Sequence, residues 1–337
     1  MIADFVAAVP KVELHLHLVG SASPETVLQL ARRHPDGGVP TDADALVRFY
    51  EFTDFPHFIN VYAKVDGLVR DAADVRTLLV GLARDAARSN VRYAEVTVTA
   101  AMHLAKGMPA AELTDALTLG RADALREHGV ALNWIFDIPA GFGPQAMQDT
   151  VDYAVEERPP GTVALGLAGL EVGYPRANYR PAFERGADAG LHLVAHAGET
   201  TGPEEVWAAL TELRAERIGH GIGSVGDDRL LAHLRAEDIP LEVCLISNVR
   251  TRAADSLDVH PLPRLLAAGV PVTLSTDDPG MFDTDLNREY TAAAELCNLD
   301  EPGVAALARA GVRAAFCDEE QRARLLAEID AVLANSA

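Results

Sequence analysis

The sequence predicts a parallel (β/α)8 (TIM) barrel, formed by residues 1–337 as a single domain. Eight short apolar runs with strand-like patterns recur along the chain. Helix-like stretches rich in Ala, Leu and Arg separate most of them, which favours a parallel sheet. No linker, tandem repeat or low-complexity tract divides the 337 residues, and barrels of this length commonly form one domain. We therefore prefer a barrel to an open doubly wound sheet.

The predicted strands and helices follow one another in order along the chain. The strand-like runs are residues 11–17, 91–98, 131–138, 163–168, 191–196, 217–220, 239–245 and 271–276. The helix-like stretches are residues 109–127, 144–156, 179–189, 203–214, 227–236 and 261–268. The sixth run is short, so we predict that it is the weakest strand.

Two further helical regions are predicted outside the regular repeat. Residues 41–88 follow the first barrel helix and fit no single helix, so we expect an additional helical segment there. This segment contains an aromatic cluster, Phe49, Tyr50, Phe52, Phe55 and Phe58. Residues 284–335 predict helices that follow the eighth strand.

The composition excludes several classes of partner. A net charge of -21 disfavours nucleic acid and anionic membranes, because both are bound mainly through Lys and Arg. No apolar run approaches the roughly 18 residues that span a bilayer, and the N-terminus lacks the pattern of a secretory signal. Three cysteines lie far apart, which indicates reduced thiols. We expect a cytoplasmic protein that binds a small molecule; the sequence predicts no oligomeric state.

Polar side chains stand where several of the predicted strands end. His15 and His17 close the first run, and because side chains alternate along a strand, both imidazoles point to the same side. Later strands end in further polar residues, His196 with Glu199, His220, and Asp277 with Asp278. The C-terminal ends of barrel strands converge on one face. We therefore expect these side chains to meet in one site.

Four of these residues form a candidate metal site, His15, His17, His196 and Asp277. Three nitrogens and one oxygen suit zinc and leave one position open for water. Barrels with two bridged metals often carry a carboxylated lysine after the fourth strand, but here that strand runs into Gly169 and no lysine lies beyond Lys106. We expect one Zn²⁺ per chain and hydrolytic chemistry, because zinc lowers the pKa of water towards about 7.

Five ordered segments resemble the signature blocks of the adenosine deaminase family. They are Pro10-Lys11-Val12-Glu13-Leu14-His15-Leu16-His17-Leu18, Val91-Arg92-Tyr93-Ala94-Glu95-Val96, His196-Ala197-Gly198-Glu199, Ile218-Gly219-His220-Gly221 and Ser275-Thr276-Asp277-Asp278-Pro279. The resemblance covers residues 10 to about 297. The His-x-Glu and Pro-Cys-x-x-Cys pattern of cytidine-type deaminases is absent.

This resemblance implies a reaction and a set of roles. The reaction is zinc-dependent hydrolysis of the 6-amino group of an adenine nucleoside, with release of ammonia. Glu199 is similar to the family's proton donor to N1 of the ring. Asp277 is similar to the ligand that also accepts the proton of the attacking water, and His220 to the residue that orients that water. Asp278 resembles the contact to N7, and the N–H of Gly169 the contact to N3.

Residue 19 departs from the family pattern. Adenosine deaminases carry an aspartate there, which is placed to hydrogen-bond the ribose 5′-hydroxyl, whereas this chain has Val19. The segment His17-Leu18-Val19-Gly20-Ser21-Ala22 resembles the branch that deaminates 6-amino-6-deoxyfutalosine, a menaquinone precursor with a 5′-linked carboxyphenyl ketone. Because that ligand carries a carboxylate, the resemblance suggests arginines in the outer pocket, with four candidates, Arg176, Arg180, Arg250 and Arg252. The aromatic cluster is a candidate lid.

Other interpretations stay open at this point. Val19 is also compatible with an ordinary adenosine deaminase, and the zinc site with a barrel hydrolase that acts on an amide or a phosphoester, or with a non-catalytic metal-binding barrel. Taken alone, Glu199 suits a helix N-terminus, and Asp277-Asp278-Pro279 a turn. Isolated histidines are most simply surface or packed residues, a set that comprises His34, His57, His103, His128, His192, His233 and His260. Cys244 is interpreted as a small buried hydrophobe.

Overall fold

The computed structural model describes residues 2–52 and 55–336, and within them eight parallel strands follow one another around a nearly closed barrel. The strands are β1 Lys11–His17, β2 Val91–Val98, β3 Ala131–Ala140, β4 Thr162–Gly169, β5 His192–Ala197, β6 Arg217–His220, β7 Leu241–Val243 and β8 Val272–Leu274. Each strand pairs with the next one along the chain. The predicted TIM-barrel fold is therefore confirmed.

Helices connect the strands and cover the outside of the barrel. They are α1 Ile2–Ala8, α2 Pro24–Arg33, α3 Ala43–Phe49, α4 Phe55–Asp66, α5 Ala72–Arg88, α6 Ala100–Ala105, α7 Ala110–His128, α8 Gly143–Asp152, α9 Arg180–Asp188, α10 Pro203–Glu212, α11 Asp228–Ala236, α12 Leu245–Arg250, α13 Leu262–Ala267, α14 Pro279–Phe282, α15 Leu286–Cys297, α16 Glu301–Ala314 and α17 Glu319–Ser336. None of these helices is long and apolar enough to cross a membrane.

The regions predicted outside the repeat are helical in the structure. Residues 41–88 contain α3, α4 and α5, and residues 284–335 contain α15, α16 and most of α17. Prolines at the first turns of α2, α8, α9, α10 and α16 suit helix starts, where the missing N–H costs nothing. The helix α1 and the short helices α6, α12 and α14 were not predicted.

The expectation that the sixth strand is the weakest is wrong, because β7 and β8 are shorter still. Side chains replace part of the backbone pairing where β8 meets β1. The hydroxyl of Ser275 accepts hydrogen bonds from the N–H groups of Leu14 and His15 at 3.3 and 3.1 Å. Past this point the backbone pairs again, since the N–H of His17 donates to the carbonyl of Asp277 at 2.9 Å. The barrel thus closes at the residues that carry the candidate metal ligands.

The alternation of β1 separates an apolar outer face from a polar inner face. Val12, Leu14 and Leu16 are buried in the main hydrophobic core, while the intervening positions point into the barrel. At the centre of the barrel the fully buried Arg217 donates to Glu95 at 2.5 Å and to Glu242 at 2.6 Å. This charged layer is satisfied on both sides and lies directly beneath the histidines of the site.

Candidate metal centre and active-site cavity

A cavity of about 540 Å³ opens at the C-terminal ends of the strands. Residues at or just after seven of the eight strands line it, from His17 at the end of β1 to Asp278 after β8. Thr251, which follows α12, lines it on the side of β7, and helix α4 forms one wall. This is the face on which barrel active sites are built. The volume falls in the range of small-molecule sites.

The structure brings the four predicted metal ligands together at the bottom of this cavity. One ligand atom from each of His15, His17, His196 and Asp277 lies within 4.8 Å of the others. Asp277 Oδ1 is 3.5 Å from His15 Nε2 and 3.2 Å from His17 Nε2. His15 Nε2 is buried and makes no hydrogen bond in the described structure, and a buried nitrogen without a partner is costly unless a ligand satisfies it. Three imidazoles and one carboxylate fit a zinc ion.

Hydrogen bonds on the far side of the histidine rings hold two of them in place. His15 Nδ1 is 2.8 Å from Glu242 Oε2, and His196 Nδ1 donates to the carbonyl of Leu167 at 2.9 Å. These contacts leave Nε2 of each ring facing the cluster, which is the usual arrangement around a metal-binding histidine. Burial lowers the pKa of His15, but the neighbouring carboxylates of Asp277 and Glu242 outweigh it and raise the pKa to about 10. Two carboxylates therefore create a strong preference for positive charge here.

Two site residues have left-handed backbone conformations that non-glycine residues rarely adopt. The φ angle is 59° at His220 and 67° at Asp277. Such conformations cost about 1 to 3 kcal/mol each and cluster at functional sites. Here they turn the chain at the ends of β6 and β8, so that both side chains point at the cluster.

The two oxygens of Asp277 have different surroundings. Oδ1 faces His15 and His17. Oδ2 accepts a hydrogen bond from the hydroxyl of Ser247 at 2.6 Å and lies 4.0 Å from His220 Nε2. One oxygen is thus available to a metal, and the other to a group in the cavity.

A chain of hydrogen bonds determines which nitrogen of His220 carries the proton. The N–H of Leu262 donates to His260 Nδ1 at 3.1 Å, so His260 donates through Nε2 to Asn248 Oδ1, also at 3.1 Å. The amide nitrogen of Asn248 then donates to His220 Nδ1 at 3.1 Å. The proton of His220 therefore sits on Nε2, which faces Glu199. Burial, and after it His15, lower the pKa of His220 to about 4, so the ring is neutral at pH 7.

Glu199 stands at the edge of the cluster and is largely buried. Its Oε2 lies 3.6 Å from His220 Nε2, and its Oε1 accepts a hydrogen bond from Thr251 at 3.1 Å. Burial, and then the negative charges of Asp277 and Glu171, raise the pKa of Glu199 to about 8. A carboxyl group with this pKa is protonated at neutral pH and can act as a general acid.

Glu171 anchors the loop that carries Glu199. Its carboxylate accepts hydrogen bonds from the N–H groups of Gly198 and Thr200, both at 2.6 Å, and from the hydroxyls of Thr200 and Thr201. These bonds fix the backbone on both sides of Glu199. Glu171 is not among the predicted site residues, although it stands two residues past Gly169, where β4 ends.

Asp278 lies beside the cluster with one carboxylate oxygen unsatisfied. Its Oδ1 is buried and has no hydrogen-bond partner in the described structure. Burial, and then the charge of Asp277, raise the pKa of Asp278 to about 7. Gly20 packs directly against it, and a Cβ atom at residue 20 would fall 1.6 Å from Asp278 Oδ1.

We expect Gly20→Ala to displace Asp278 and to lower both stability and activity. The collision involves a buried side chain, and overpacking of this kind costs about 1 to 3 kcal/mol of unfolding free energy. Urea denaturation and kcat/KM are the measurements. Ser21→Ala is the control at the neighbouring position, because it removes a hydroxyl and adds no volume. Wild-type kcat/KM in Gly20→Ala would contradict a role for the position of Asp278.

The remaining predicted contacts, Gly169 and Val19, also line the cavity. Gly169 has φ +90°, and a Cβ atom there would lie 2.9 Å from the carbonyl oxygen of Ala140. Only glycine fits at this strand end, which leaves the backbone open to a ligand. Val19 is 5% exposed and presents an apolar wall.

The arginine prediction is wrong for all four candidates, since none is among the residues that line the cavity. The buried Arg176 instead donates to the carbonyls of Leu170, Tyr174 and His196, which ties the loop after β4 to β5. Arg180 pairs with Glu212.

The aromatic cluster is only partly at the cavity. Phe58 lines it, whereas Phe52 packs with Phe58 against Phe282 of α14. The side chain of Phe55 lies outside the described structure. Cys244 is buried, as predicted, and burial raises the pKa of its thiol well above the usual value, which keeps it uncharged.

Comparisons with known proteins agree with this geometry. The family profile described as adenosine deaminase matches residues 10–332. The aminodeoxyfutalosine deaminase of Streptomyces avermitilis is 52% identical over 329 residues, which cover 97% of this chain and 92% of that protein. The crystal structure of an adenine deaminase from Arthrobacter aurescens superposes with a TM-score of 0.90 at 31% identity, and covers 96% of this chain and 99% of that one.

A more distant structure shares the fold. It is an amidohydrolase from Burkholderia ambifaria, solved with bound Zn, with a TM-score of 0.89 at 24% identity; the match covers 99% of this chain and 94% of that one.

Proposed function

The chain belongs to the adenosine deaminase family, and from that premise we propose that it converts 6-amino-6-deoxyfutalosine to futalosine with release of ammonia. The observation that carries this proposal is the 52% identity with the aminodeoxyfutalosine deaminase of Streptomyces avermitilis over 97% of the chain. The valine at position 19, where adenosine deaminases have aspartate, supports the same substrate.

The cavity offers a contact for three of the four ring nitrogens of the purine base, and the fourth, N9, carries the ribose. Glu199 donates its proton to N1, the N–H of Gly169 donates to N3, and Asp278 hydrogen-bonds N7. N1 needs a proton because attack at C6 breaks the aromaticity of the ring and pushes charge onto N1. The raised pKa of Glu199 suits a donor that is protonated at neutral pH.

His15, His17, His196 and Asp277 would hold one zinc ion per chain, and this ion would supply Lewis acidity that lowers the pKa of water towards about 7. Asp277 accepts a proton from the attacking water, for which Oδ2 is the oxygen that faces the cavity and His220. The Nε2–H of His220 donates a hydrogen bond to the attacking oxygen and so orients it. The oxygen adds to C6, and Asp277 passes the proton taken from the water to the amino nitrogen. The bond from C6 to that nitrogen breaks and ammonia leaves, while the remaining O–H proton returns to Glu199 as the 6-oxo group forms.

The rim of the cavity fits the 5′ substituent of this substrate. Val19 is buried and apolar and cannot accept a hydrogen bond from a 5′-hydroxyl. Three of the large exposed apolar side chains, Ile59, Phe142 and Leu170, line this cavity. Exposed apolar groups that meet at one opening indicate a binding surface, and an aryl ketone would pack against them.

We expect Val19→Asp to reverse the substrate preference. An aspartate can accept the 5′-hydroxyl of adenosine, and a recovered hydrogen bond of this kind raises kcat/KM by about ten- to a hundredfold. The bulkier 6-amino-6-deoxyfutalosine loses its apolar contact with the valine side chain and meets the negative charge of the new aspartate. The quantity to measure is the ratio of kcat/KM for 6-amino-6-deoxyfutalosine to that for adenosine.

Val19→Asn is the matched control, because asparagine has the size of aspartate without its charge. If the ratio of the two kcat/KM values is the same in Val19→Asp as in the wild type, residue 19 does not select the substrate. Ammonia release on adenosine, adenine and 6-amino-6-deoxyfutalosine in parallel tests the proposal as a whole. Preferred turnover of adenosine by the wild type would favour the second candidate, an adenosine deaminase.

A further inference from the structure

We infer that Asp137 binds the 2′- and 3′-hydroxyls of the substrate ribose. Asp137 has no part in the reaction at C6, yet its carboxylate lies in the active-site cavity. The inference rests on the base orientation given under the proposed function. The inference goes beyond the proposed function because it assigns the contact with the ribose hydroxyls to Asp137, which lies near the end of β3, whereas Val19 follows β1.

Asp137 lies on the inner face of β3, close to its C-terminal end, and is 3% exposed. The hydroxyl of Thr99, just after β2, donates to its Oδ1 at 2.8 Å. Within the described residues no lysine or arginine forms an ion pair with it, unlike Glu95 and Glu242 in the layer below, which both pair with Arg217. A buried carboxylate with so few donors is costly, and it retains lone pairs for further O–H groups.

The geometry of a purine fixes where the ribose must go. N1 contacts Glu199 after β5, N3 contacts Gly169 at the end of β4, and N7 contacts Asp278 after β8. N9 carries the ribose and lies between N3 and N7, on the side of the ring away from N1. In a barrel with strands in sequential order, the sector between β8 and β4 that excludes β5 is formed by β1, β2 and β3.

Asp137 is the carboxylate of that sector. The cavity residues at the ends of β1, β2 and β3 are His17, Leu18, Val19, Thr97, Thr99, Asp137, Pro139 and Ala140. His17 belongs to the metal site, and Leu18, Val19, Pro139 and Ala140 offer no side-chain acceptor. A carboxylate can accept both hydroxyls of a vicinal diol through its two oxygens. Asp137 is therefore the side chain of this sector that can accept both the 2′- and the 3′-hydroxyl of the ribose.

The test compares ribonucleosides with their 2′-deoxy and 3′-deoxy analogues in wild type and Asp137→Asn. In the wild type, loss of either hydroxyl should lower kcat/KM by about ten- to a hundredfold, because a buried carboxylate loses its partner. In Asp137→Asn the ribonucleoside itself should lose a similar factor. The further penalty for each deoxy analogue should shrink to within about threefold, since the charged acceptor is already gone.

Asp66→Asn is the matched control. Asp66 also lines the cavity, but it lies on α4 and pairs with Lys106 at 2.9 Å. This variant should discriminate between ribo- and deoxyribonucleosides as the wild type does. Asp137→Ser is the second variant should Asp137→Asn fold poorly, and the same reduced penalty is expected of it.

Two results would overturn the inference. One is a deoxy penalty that is equal in wild type and in the Asp137 variants. The other is loss of metal from these variants by elemental analysis, which would mean that Asp137 positions His17 instead. The assay uses whichever 6-aminopurine riboside the wild type turns over best. If that riboside is adenosine, the proposal that 6-amino-6-deoxyfutalosine is the substrate is refuted. The role of Asp137 can still be tested with 2′-deoxyadenosine and 3′-deoxyadenosine.

Discussion

Replacing Glu199 by Gln is expected to lower kcat by about 10²- to 10⁴-fold, the usual effect of removing a general acid, while the chain keeps its metal. Glutamine has nearly the same shape and can still accept the hydrogen bond from Thr251, but it has no proton to give to N1. Glu199 lies three residues past His196 and does not belong to the cluster of four ligand groups. Steady-state kinetics and elemental analysis on the same sample are the measurements.

Thr251→Val provides the comparison for this substitution. It removes one hydrogen bond to Glu199 and leaves the proton donor in place, so kcat should fall by far less than in Glu199→Gln. Near-normal turnover in Glu199→Gln would remove Glu199 from the role of proton donor. Loss of metal together with activity would instead make it a ligand.

The second large effect is expected of Asp277→Ala, which should lose the metal and the activity together. Asp277 is the anionic member of the four ligand groups, and its Oδ1 lies between His15 Nε2 and His17 Nε2. Removing a residue that only orients a ligand typically costs 10- to 100-fold in metal affinity, so removing a ligand should cost at least about 100-fold. Affinity is measured by competition with a chromophoric chelator.

Asp115→Ala, at an exposed position of α7, is the control and should retain both metal and activity. An active Asp277→Ala enzyme without metal would refute a metal-dependent mechanism. Two metal ions per wild-type chain would refute the single-ion site.

The sequence was enough to predict the barrel and the convergence of its strand ends, because both follow from local patterns. Alternation along β1 places His15 and His17 on one side, and sequential parallel pairing brings the ends of β5, β6 and β8 to the same face. The lengths of β7 and β8 could not be predicted in this way. The pairing of β8 with β1 is completed by the side chains of Ser275 and Glu13, which bond across the barrel closure.

The residues that support the site left little local signal. Glu242 and His15 are 227 positions apart, so no pattern in either segment links them. His260 was interpreted as a packed histidine, but it acts through Asn248 on the proton of His220. Such partners follow only from the folded structure. Asp137 carries a sequence signal, as an aspartate near the end of an apolar strand, but it belongs to none of the family-like segments, so no role is predicted for it.

Competition between two nucleosides tests the central claim most directly. Zinc-loaded enzyme is given 6-amino-6-deoxyfutalosine and adenosine at equal concentration, and both products are separated by chromatography, so that the ratio of initial rates equals the ratio of the two kcat/KM values. We expect futalosine to form at least about tenfold faster than inosine, the low end of what an unsatisfied hydroxyl costs. Faster formation of inosine would contradict the account.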